Sequence, residues 1–339
     1  MEEKRLLGCI PSSVQEADAR RLGVPSDREL IERLAAPWDA TNQPRIIDWD
    51  SDWENYLVEE AQAKDLMRKN NMFPTPWELC QRFCGKPLSK ILLSQQKRND
   101  CAACATNNAV TVMALNQRWF GAERDVEAYN PTGIYAYSSG STPRAGSRFA
   151  DNGRTIYGIA KTACETGNFP VAAIGEYNGG TSFSQAMIDS VSVAEKNQTG
   201  FAYIGNKSAT EKVEIIILNL RAGRPVVIGN DVALRDGSRQ DANGMYITDV
   251  GGSWGGGHAT AAIDYRKVND TEYVYIVNSH GNRYNSGTSI PAFGAYITKA
   301  GLKRYLSGGF SDIMPGTYTE CPLGKENFNL NPEGGRDNG

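Results

Sequence analysis

Apolar residues recur at helical spacing in the first half of the chain. Cys101 stands at a turn, and a stripe of apolar residues follows it: Ala109, Val110, Met113, Leu115 and Trp119. This spacing predicts an amphipathic helix with Cys101 at its N-terminus. The helix dipole and the unpaired backbone N–H groups at that end stabilise a thiolate over a thiol, and the thiolate is the nucleophilic form of cysteine.

The second half of the chain changes from helical to strand patterns. Residues 211–220 are amphipathic with helical spacing, and a Gly-Arg-Pro break separates them from a buried strand at 226–229. Three more apolar runs follow at about 258–266, 272–278 and 292–298, ahead of a helix at 299–306. Helices followed by a run of strands predict an α+β protein with an antiparallel sheet or partial barrel.

The two ends of the chain differ from its middle. Residues 1–86 are rich in charge and in helix signals, with predicted helices after the capping-box pattern at Ser26, at 54–67 and around 77–83. We interpret 1–86 as a helical N-terminal extension, which is either an inhibitory pro-segment or a lid integral to the fold. Residues 316–339 are rich in Pro, Gly, Asn and Glu and predict a loosely attached tail, so 87–315 form the main domain.

Bulk composition excludes several function classes. The 339 residues carry a net charge of −3, with 36 basic and 39 acidic side chains, so nothing favours a nucleic acid or an anionic membrane as partner. No apolar run is long enough to span a bilayer. The seven cysteines are an odd, sparse set, unlike a secreted disulfide scaffold. A reducing cytoplasmic setting is the default expectation.

Four of the cysteines form a pattern that a zinc site also uses. Cys80 and Cys84 are followed, after sixteen residues, by Cys101 and Cys104, and paired cysteines at such spacing supply four thiolates in structural zinc sites. Cys80 and Cys84 lie in an apolar helical run, where cysteine is commonly a small buried side chain. We therefore favour no metal and no cofactor.

Cysteine, histidine and asparagine occur in the chain order of a cysteine-nucleophile triad. His258 lies in the run Gly-Gly-His-Ala-Thr at 256–260, and Asn278 lies in Val-Asn-Ser-His-Gly at 277–281. A triad is recognised by the roles of its members, which meet in space rather than in sequence. Cys101 would attack a carbonyl carbon, His258 would exchange the proton, and Asn278 would fix the tautomer of His258. Since the chain has only two histidines, His258 in this setting is a strong candidate.

The segments around these residues resemble the papain-like cysteine peptidases, family C1 in the broad sense. The resemblance covers roughly residues 87–310 and comprises segments in the expected order: 95–105, 152–167, 220–229, 257–265, 273–281 and 294–297. It implies a fold in which a helical half, carrying the nucleophile helix, packs against an antiparallel sheet or partial barrel. It also implies a thiol protease that hydrolyses polypeptide substrates through an acyl-enzyme.

The resemblance also favours one of the two neighbouring cysteines as the nucleophile. The family has a glutamine six residues before its nucleophile, which corresponds to Gln95 if the nucleophile is Cys101 and to Arg98 if it is Cys104. We therefore choose Cys101, with the Gln95 side chain and the Cys101 backbone N–H as the oxyanion hole.

The predicted substrate-binding residues lie on either side of this site. Gly257 leaves room for a substrate backbone beside His258, and Ala259 follows His258 on the same strand. Asn152 and Gly153 are expected to pair with that backbone on the opposite side of the cleft.

Two departures from the family pattern leave alternatives open. His280 stands where the family has a tryptophan over the Asn–His hydrogen bond, and Ala102 replaces the tryptophan that follows the nucleophile. These departures motivate a second hypothesis, an inactive papain-like fold used for binding or structure. A third is a Cys–His amidase acting on cell-wall or isopeptide bonds. Self-inhibition by residues 1–86 is expected if they are a pro-segment.

Overall fold

A computed structural model describes most of residues 74–318 and short pieces of the N-terminal extension. The described residues are 9–10, 46–48, 54, 57–58, 61–62, 64–65, 74–93, 97–119, 126–193, 199–204, 206–280, 284 and 293–318. Their helices and strands are, in chain order, β1 (Cys9–Ile10), β2 (Ile46–Asp48), α1 (Pro76–Cys84), α2 (Cys101–Trp119), α3 (Thr132–Tyr137), β3 (Arg154–Thr155), α4 (Ile156–Thr166), α5 (Val171–Ile174), α6 (Gln185–Val193), β4 (Thr199–Tyr203), α7 (Ala209–Arg221), β5 (Val226–Leu234), β6 (Arg239–Gln240), β7 (Tyr246–Ile247), β8 (Val250–Val268), β9 (Thr271–Val277), β10 (Gly294–Thr298), α8 (Lys299–Tyr305) and β11 (Ser311–Tyr318). Within these residues, no helix combines the length and the apolar character needed to cross a bilayer.

A large, mostly antiparallel sheet organises the molecule. Its strand order in the described residues is β2-β4-β11-β5-β8-β9-β10-β7-β6, and the central pairs from β4 to β10 are all antiparallel. The pairs β2–β4 and β10–β7 are parallel. The predicted α+β class with an antiparallel sheet is confirmed.

Alternation along the central strands buries both faces of this sheet. Ala259, Ala261 and Ile263 belong to one hydrophobic core, together with residues of α2. Ala262 lies in a second core with residues of α7 and α8. Because both faces are covered, these strands consist of nearly continuous apolar runs, which is why the sequence pattern detects them.

Helix α2 lies in the first core and is buried along all but its last two residues. The small side chains at its start, Ala102 and Ala103, allow close packing, and the helix packs against α1, β5 and β8. Its polar residues are buried with partners: the Asn108 amide pairs with the backbone of Leu93, and Asn116 Nδ2 donates to Gly223 O at 2.6 Å. The predicted helix at Cys101–Trp119 is therefore the central helix of the fold.

Side-chain caps determine where several helices begin. Thr75 and Glu78 form a capping box at α1, and Ser208 and Glu211 form another at α7. Thr155 caps α4, which therefore begins at Ile156. The predicted helix at 211–220 extends slightly at both ends.

Described parts of the N-terminal extension contact the main sheet. Strand β2 pairs with β4, and the described positions within 54–65 are helical. Lys64 is fully buried, and its ammonium donates to the carbonyl of Ala222 at 2.6 Å. Arg221 forms a partly exposed ion pair with Asp65. The predicted helix after Ser26 lies outside the described residues.

Strand β11 was not expected from the sequence. It lies between β4 and β5 and extends to Tyr318, past the expected end of the main domain at residue 315. Its sequence contains Pro315 and Gly316, which are residue types uncommon inside strands, so the sequence shows no clear strand pattern here. Long-range pairing on both sides nevertheless holds it in the middle of the sheet. Of the expected tail, residues 319–339 lie outside the described part of the chain.

Candidate active site

Cys101 is the first residue of helix α2. The backbone carbonyl of Asp100 accepts from the Cys104 N–H at 3.0 Å, which closes the first turn and leaves Cys101 at the positive end of the helix. The Cys101 residue has 0% relative exposure. The thiol therefore combines a position that favours the thiolate with a site that is closed to solvent in this conformation.

Cys104, the competing nucleophile, lies one turn further into the core. Burial raises the pKa of its thiol well above the ordinary value, and the neighbouring Asp100 and Cys101 add to the rise. Its Sγ lies 3.8 Å from Asp100 Oδ1. A buried thiol beside a carboxylate is a poor source of thiolate, so Cys104 is poorly suited to act as a nucleophile.

A buried polar network holds the segment that leads into Cys101. Asp100 accepts from Arg98 Nε at 2.8 Å and from the Tyr177 hydroxyl at 3.0 Å. The same hydroxyl accepts from the Lys97 backbone N–H at 2.7 Å, and Arg98 also donates to the carbonyl of Gly180. Burial raises the pKa of Asp100 to about 6, although Arg98 and the Tyr177 hydroxyl favour its ionised form. The loop at 177–180 is thereby tied to the residues that precede the nucleophile.

The fold brings His258 and Asn278 together. His258 lies on β8, and Asn278 directly follows β9, the next strand of the sheet. His258 Nε2 and Asn278 Oδ1 are 2.9 Å apart, and Asn278 Nδ2 donates to the Tyr284 hydroxyl at 3.1 Å. With the amide held this way, Nε2 carries a proton, and Nδ1 is the ring nitrogen outside this hydrogen bond. Both residues are buried.

Three aromatic rings cluster around this hydrogen bond. His280 stacks on His258 with ring centroids 4.2 Å apart and planes 28° apart. Trp254 contacts both, with centroid distances of 4.6 Å to His258 and 5.1 Å to His280. Sequence reasoning missed Trp254, although its position four residues before His258 was a usable signal. It adds an apolar ring beside the two imidazoles.

The predicted substrate-binding residues have varied surroundings. Gly153 has φ +80°, its N–H donates to the Tyr135 hydroxyl at 3.2 Å, and its carbonyl accepts from Arg154. The Asn152 side chain also accepts from Arg154. The backbone of Gly153 is thus engaged within the protein, and the next two residues, in β3, form the pairing edge.

Two of the remaining predicted site residues lie on the histidine strand. Gly257 is half-buried on β8, and Ala259 is buried opposite Gly229 on β5. Gln95 lies outside the described residues. Helix α2 packs against β8, which carries His258. The structure thus joins His258 to Asn278 by a hydrogen bond. A reaction between Cys101 and His258 belongs to the proposed function.

Strand β1 lies against the candidate site. Cys9 and Ile10 pair in parallel with Arg154 and Thr155, and β1 also lies beside β8 and β5. A two-residue piece of the N-terminal extension therefore occupies the pairing edge next to Asn152 and Gly153.

The zinc alternative finds no support in the described residues. Cys80 and Cys84 lie on α1, where Cys80 Sγ donates to Lys86 O at 3.2 Å and burial raises the pKa of Cys80 to about 12. No group of three or more His, Cys, Asp or Glu side chains in the described ranges is arranged to hold a metal ion.

Comparison with known proteins gives a weak structural likeness alone. No family model and no curated protein sequence matches the chain. Similar solved structures include procathepsin B S9 from Trypanosoma congolense, with TM-score 0.40, 12% identity, and coverage of 84% of this chain and 96% of that one. Digestive procathepsin L 3 and procathepsin L2 of Tenebrio molitor larval midgut, both 12% identical, have TM-scores of 0.38 and 0.40, with coverage of 84% and 89% of this chain and 97% and 88% of theirs. At these values the likeness assigns neither residues nor activity.

Proposed function

We propose that this chain is a papain-like cysteine peptidase that hydrolyses peptide bonds through an acyl-enzyme on Cys101. The observation that carries the proposal is the 2.9 Å hydrogen bond between His258 Nε2 and Asn278 Oδ1. It holds one of only two histidines in a defined tautomer, on a strand that packs against the helix beginning at Cys101. Orientation of the base by a third group is the signature of an activated nucleophile.

The proposed reaction has two halves. Cys101 Sγ, as the thiolate, attacks the carbonyl carbon, and the electron pair of the carbonyl moves to oxygen. His258, as imidazolium, gives its Nδ1 proton to the leaving amine as the C–N bond breaks, which leaves a thioester. Water then gives a proton back to Nδ1 and attacks the thioester, which releases the acid and restores the thiolate–imidazolium pair. Asn278 keeps the ring in place throughout.

The position of Cys101 at a helix N-terminus also supports stabilisation of the oxyanion. The first backbone N–H groups of a helix have no partner within it, so the Cys101 N–H is suited to donate to the developing negative charge. Gln95 is proposed as the second donor. Loss of one such donor costs about 3–4 kcal/mol of transition-state stabilisation in comparable enzymes.

The direct test is the rate of iodoacetamide alkylation of Cys101 as a function of pH. A thiolate–imidazolium pair labels rapidly well below the free-thiol pKa of about 8.5, and the acid-side labelling disappears in His258→Ala. Mass spectrometry of peptides locates the label, and cleavage of denatured protein tests turnover. Cys104→Ala is the matched control, because Cys104 lies on the same helix with a strongly raised pKa. Its profile should follow the wild type, whereas an ordinary thiol profile at Cys101 in an accessible site contradicts the proposal.

We also propose that the chain holds itself in a closed state. The buried Cys101 and the β1–β3 pairing motivate this second proposal. The pairing is parallel and uses Arg154 and Thr155, the edge that a substrate backbone would need. A variant lacking residues 1–12 removes Cys9 and Ile10 but keeps β2 and Lys64, which contact the main sheet.

In this truncated chain, alkylation of Cys101 should become faster at every pH, while Cys164, buried in helix α4, stays protected. Equal Cys101 rates in the full and truncated chains would show that β1 does not cover the site. Slow labelling in both, with an ordinary thiol profile, would favour a binding or structural protein over a peptidase.

A further inference from the structure

A second imidazole lies against the proposed catalytic one. The rings of His258 and His280 are nearly parallel, with centroids 4.2 Å apart. Trp254 packs against both rings, and His258 is fully buried. The mechanism proposed above uses His258 and gives His280 no part, so the stacked pair calls for its own explanation.

Two stacked imidazoles cannot both be charged without cost. Like charges at this separation repel, and low exposure weakens the screening of that repulsion by water. Groups that interact this closely titrate as a pair, with the second proton bound at lower pH than the first. Asn278 accepts from His258 Nε2, which favours His258 as the holder of the first proton.

We propose that His280 is a positioning residue that works as a neutral ring. Stacked on His258, it holds the imidazolium against Asn278. When it takes a proton itself, it repels His258 and disrupts the site, so His280 sets an acid limit on activity. The effect on activity rests on the proposed function, whereas the coupling between the rings does not.

The ionisable groups of the described residues near the two rings bear on this proposal. On the neighbouring elements, the described residues offer the Cys101 thiol on α2, the Tyr284 hydroxyl and Asp231 on β5. The Asp231 carboxylate accepts from the backbone N–H of Gly309 at 3.0 Å, and the Tyr284 hydroxyl accepts from Asn278. The Cys101 thiolate would pair with His258 in the proposed working state. Among these groups, only the two imidazoles can carry a positive charge.

Because the chain has only two histidines, histidine-labelled NMR observes this pair alone. We would titrate full-length Cys101→Ala, which avoids self-cleavage, alone and combined with His258→Phe or His280→Phe. Phenylalanine keeps a flat ring and removes the proton. The pH at which His280 is half-protonated should rise by more than about one unit when His258 is replaced. Circular dichroism at each pH checks that the variants are folded.

Activity supplies the second readout. Profiles of kcat/KM against pH for the wild type and His280→Phe, each normalised to its own plateau, should differ on the acid side, with the limit moved to lower pH in the variant. A His280 step that is unmoved by His258→Phe overturns the proposal, as does an unchanged acid limb. Coupled titration in a chain whose Cys101 proves unreactive supports the pairing of the rings and refutes the peptidase assignment alone.

Discussion

Replacing Asp100 by asparagine removes a carboxylate that is buried beside the candidate nucleophile. Burial raises the pKa of Asp100 from 3.8 to about 6, against the opposing effects of Arg98 and Tyr177. Since the folded pKa exceeds the unfolded one, the stability contributed by the protonated carboxyl is fully present below about pH 3.8. It is lost as the pH rises through about 6.

The size of this effect follows from the two pKa values. A difference of about two units corresponds to about 3 kcal/mol in the free energy of unfolding, of which about 1 kcal/mol falls between pH 5 and pH 7. The asparagine side chain does not titrate, so Asp100→Asn lacks this dependence. Relative to the variant, the wild type should therefore become less stable toward neutral pH.

Urea unfolding monitored by tryptophan fluorescence from pH 4 to pH 8 measures the difference. The substitution also changes the free energy of unfolding by a fixed amount, because Arg98 loses its partner. This fixed change does not affect the test, since only the dependence on pH is compared. Asp249→Asn is the control, since the hydrogen bond from Arg304 lowers the pKa of Asp249, and this carboxyl should cause no loss of stability toward neutral pH. A stability difference, wild type minus Asp100→Asn, that is constant or that grows toward neutral pH would show that Arg98 offsets or outweighs burial and would refute the reasoning.

Two further predictions concern stability away from the site. Gly294→Ala should destabilise the chain by about 1–3 kcal/mol in urea unfolding, because an added Cβ would lie 2.5 Å from the backbone oxygen of Ile276; an unchanged midpoint would contradict this close approach. Lys64→Met should cost about 1–3 kcal/mol, because it leaves the buried carbonyl of Ala222 without its ammonium donor. The neighbouring Asp65→Asn removes only a partly exposed ion pair and should cost less than about 1 kcal/mol. Equal effects of the last two changes would argue against a buried, structural Lys64.

The proposed closed state connects the N-terminal extension to the site. Strand β2 and Lys64 contact the main sheet, whereas β1 lies at the pairing edge beside β3. One extension would thus serve two purposes, an integral structural part and a removable cover. The truncation that removes residues 1–12 separates these purposes, because it leaves the structural contacts in place.

Local patterns in the sequence determined the central helix and the strands that carry the candidate site. Helical spacing after Cys101 predicted α2, and the apolar runs around His258 and before Asn278 predicted β8 and β9, because a buried element leaves its period in its own residues. The chain order of Cys101, His258 and Asn278 predicted a triad-like site, and the structure joins the last two by a hydrogen bond.

Only the tertiary structure decided what these residues meet. Strand β11 lies in the middle of the sheet because β4 and β5 pair with it, and its own sequence, with Pro315, gives little sign of a strand. The contacts of Trp254 and His280 with His258 depend on the register of distant segments, as does the link from Tyr177 to Asp100. Sequence periodicity records the face that an element buries, but it does not identify the partner that buries it.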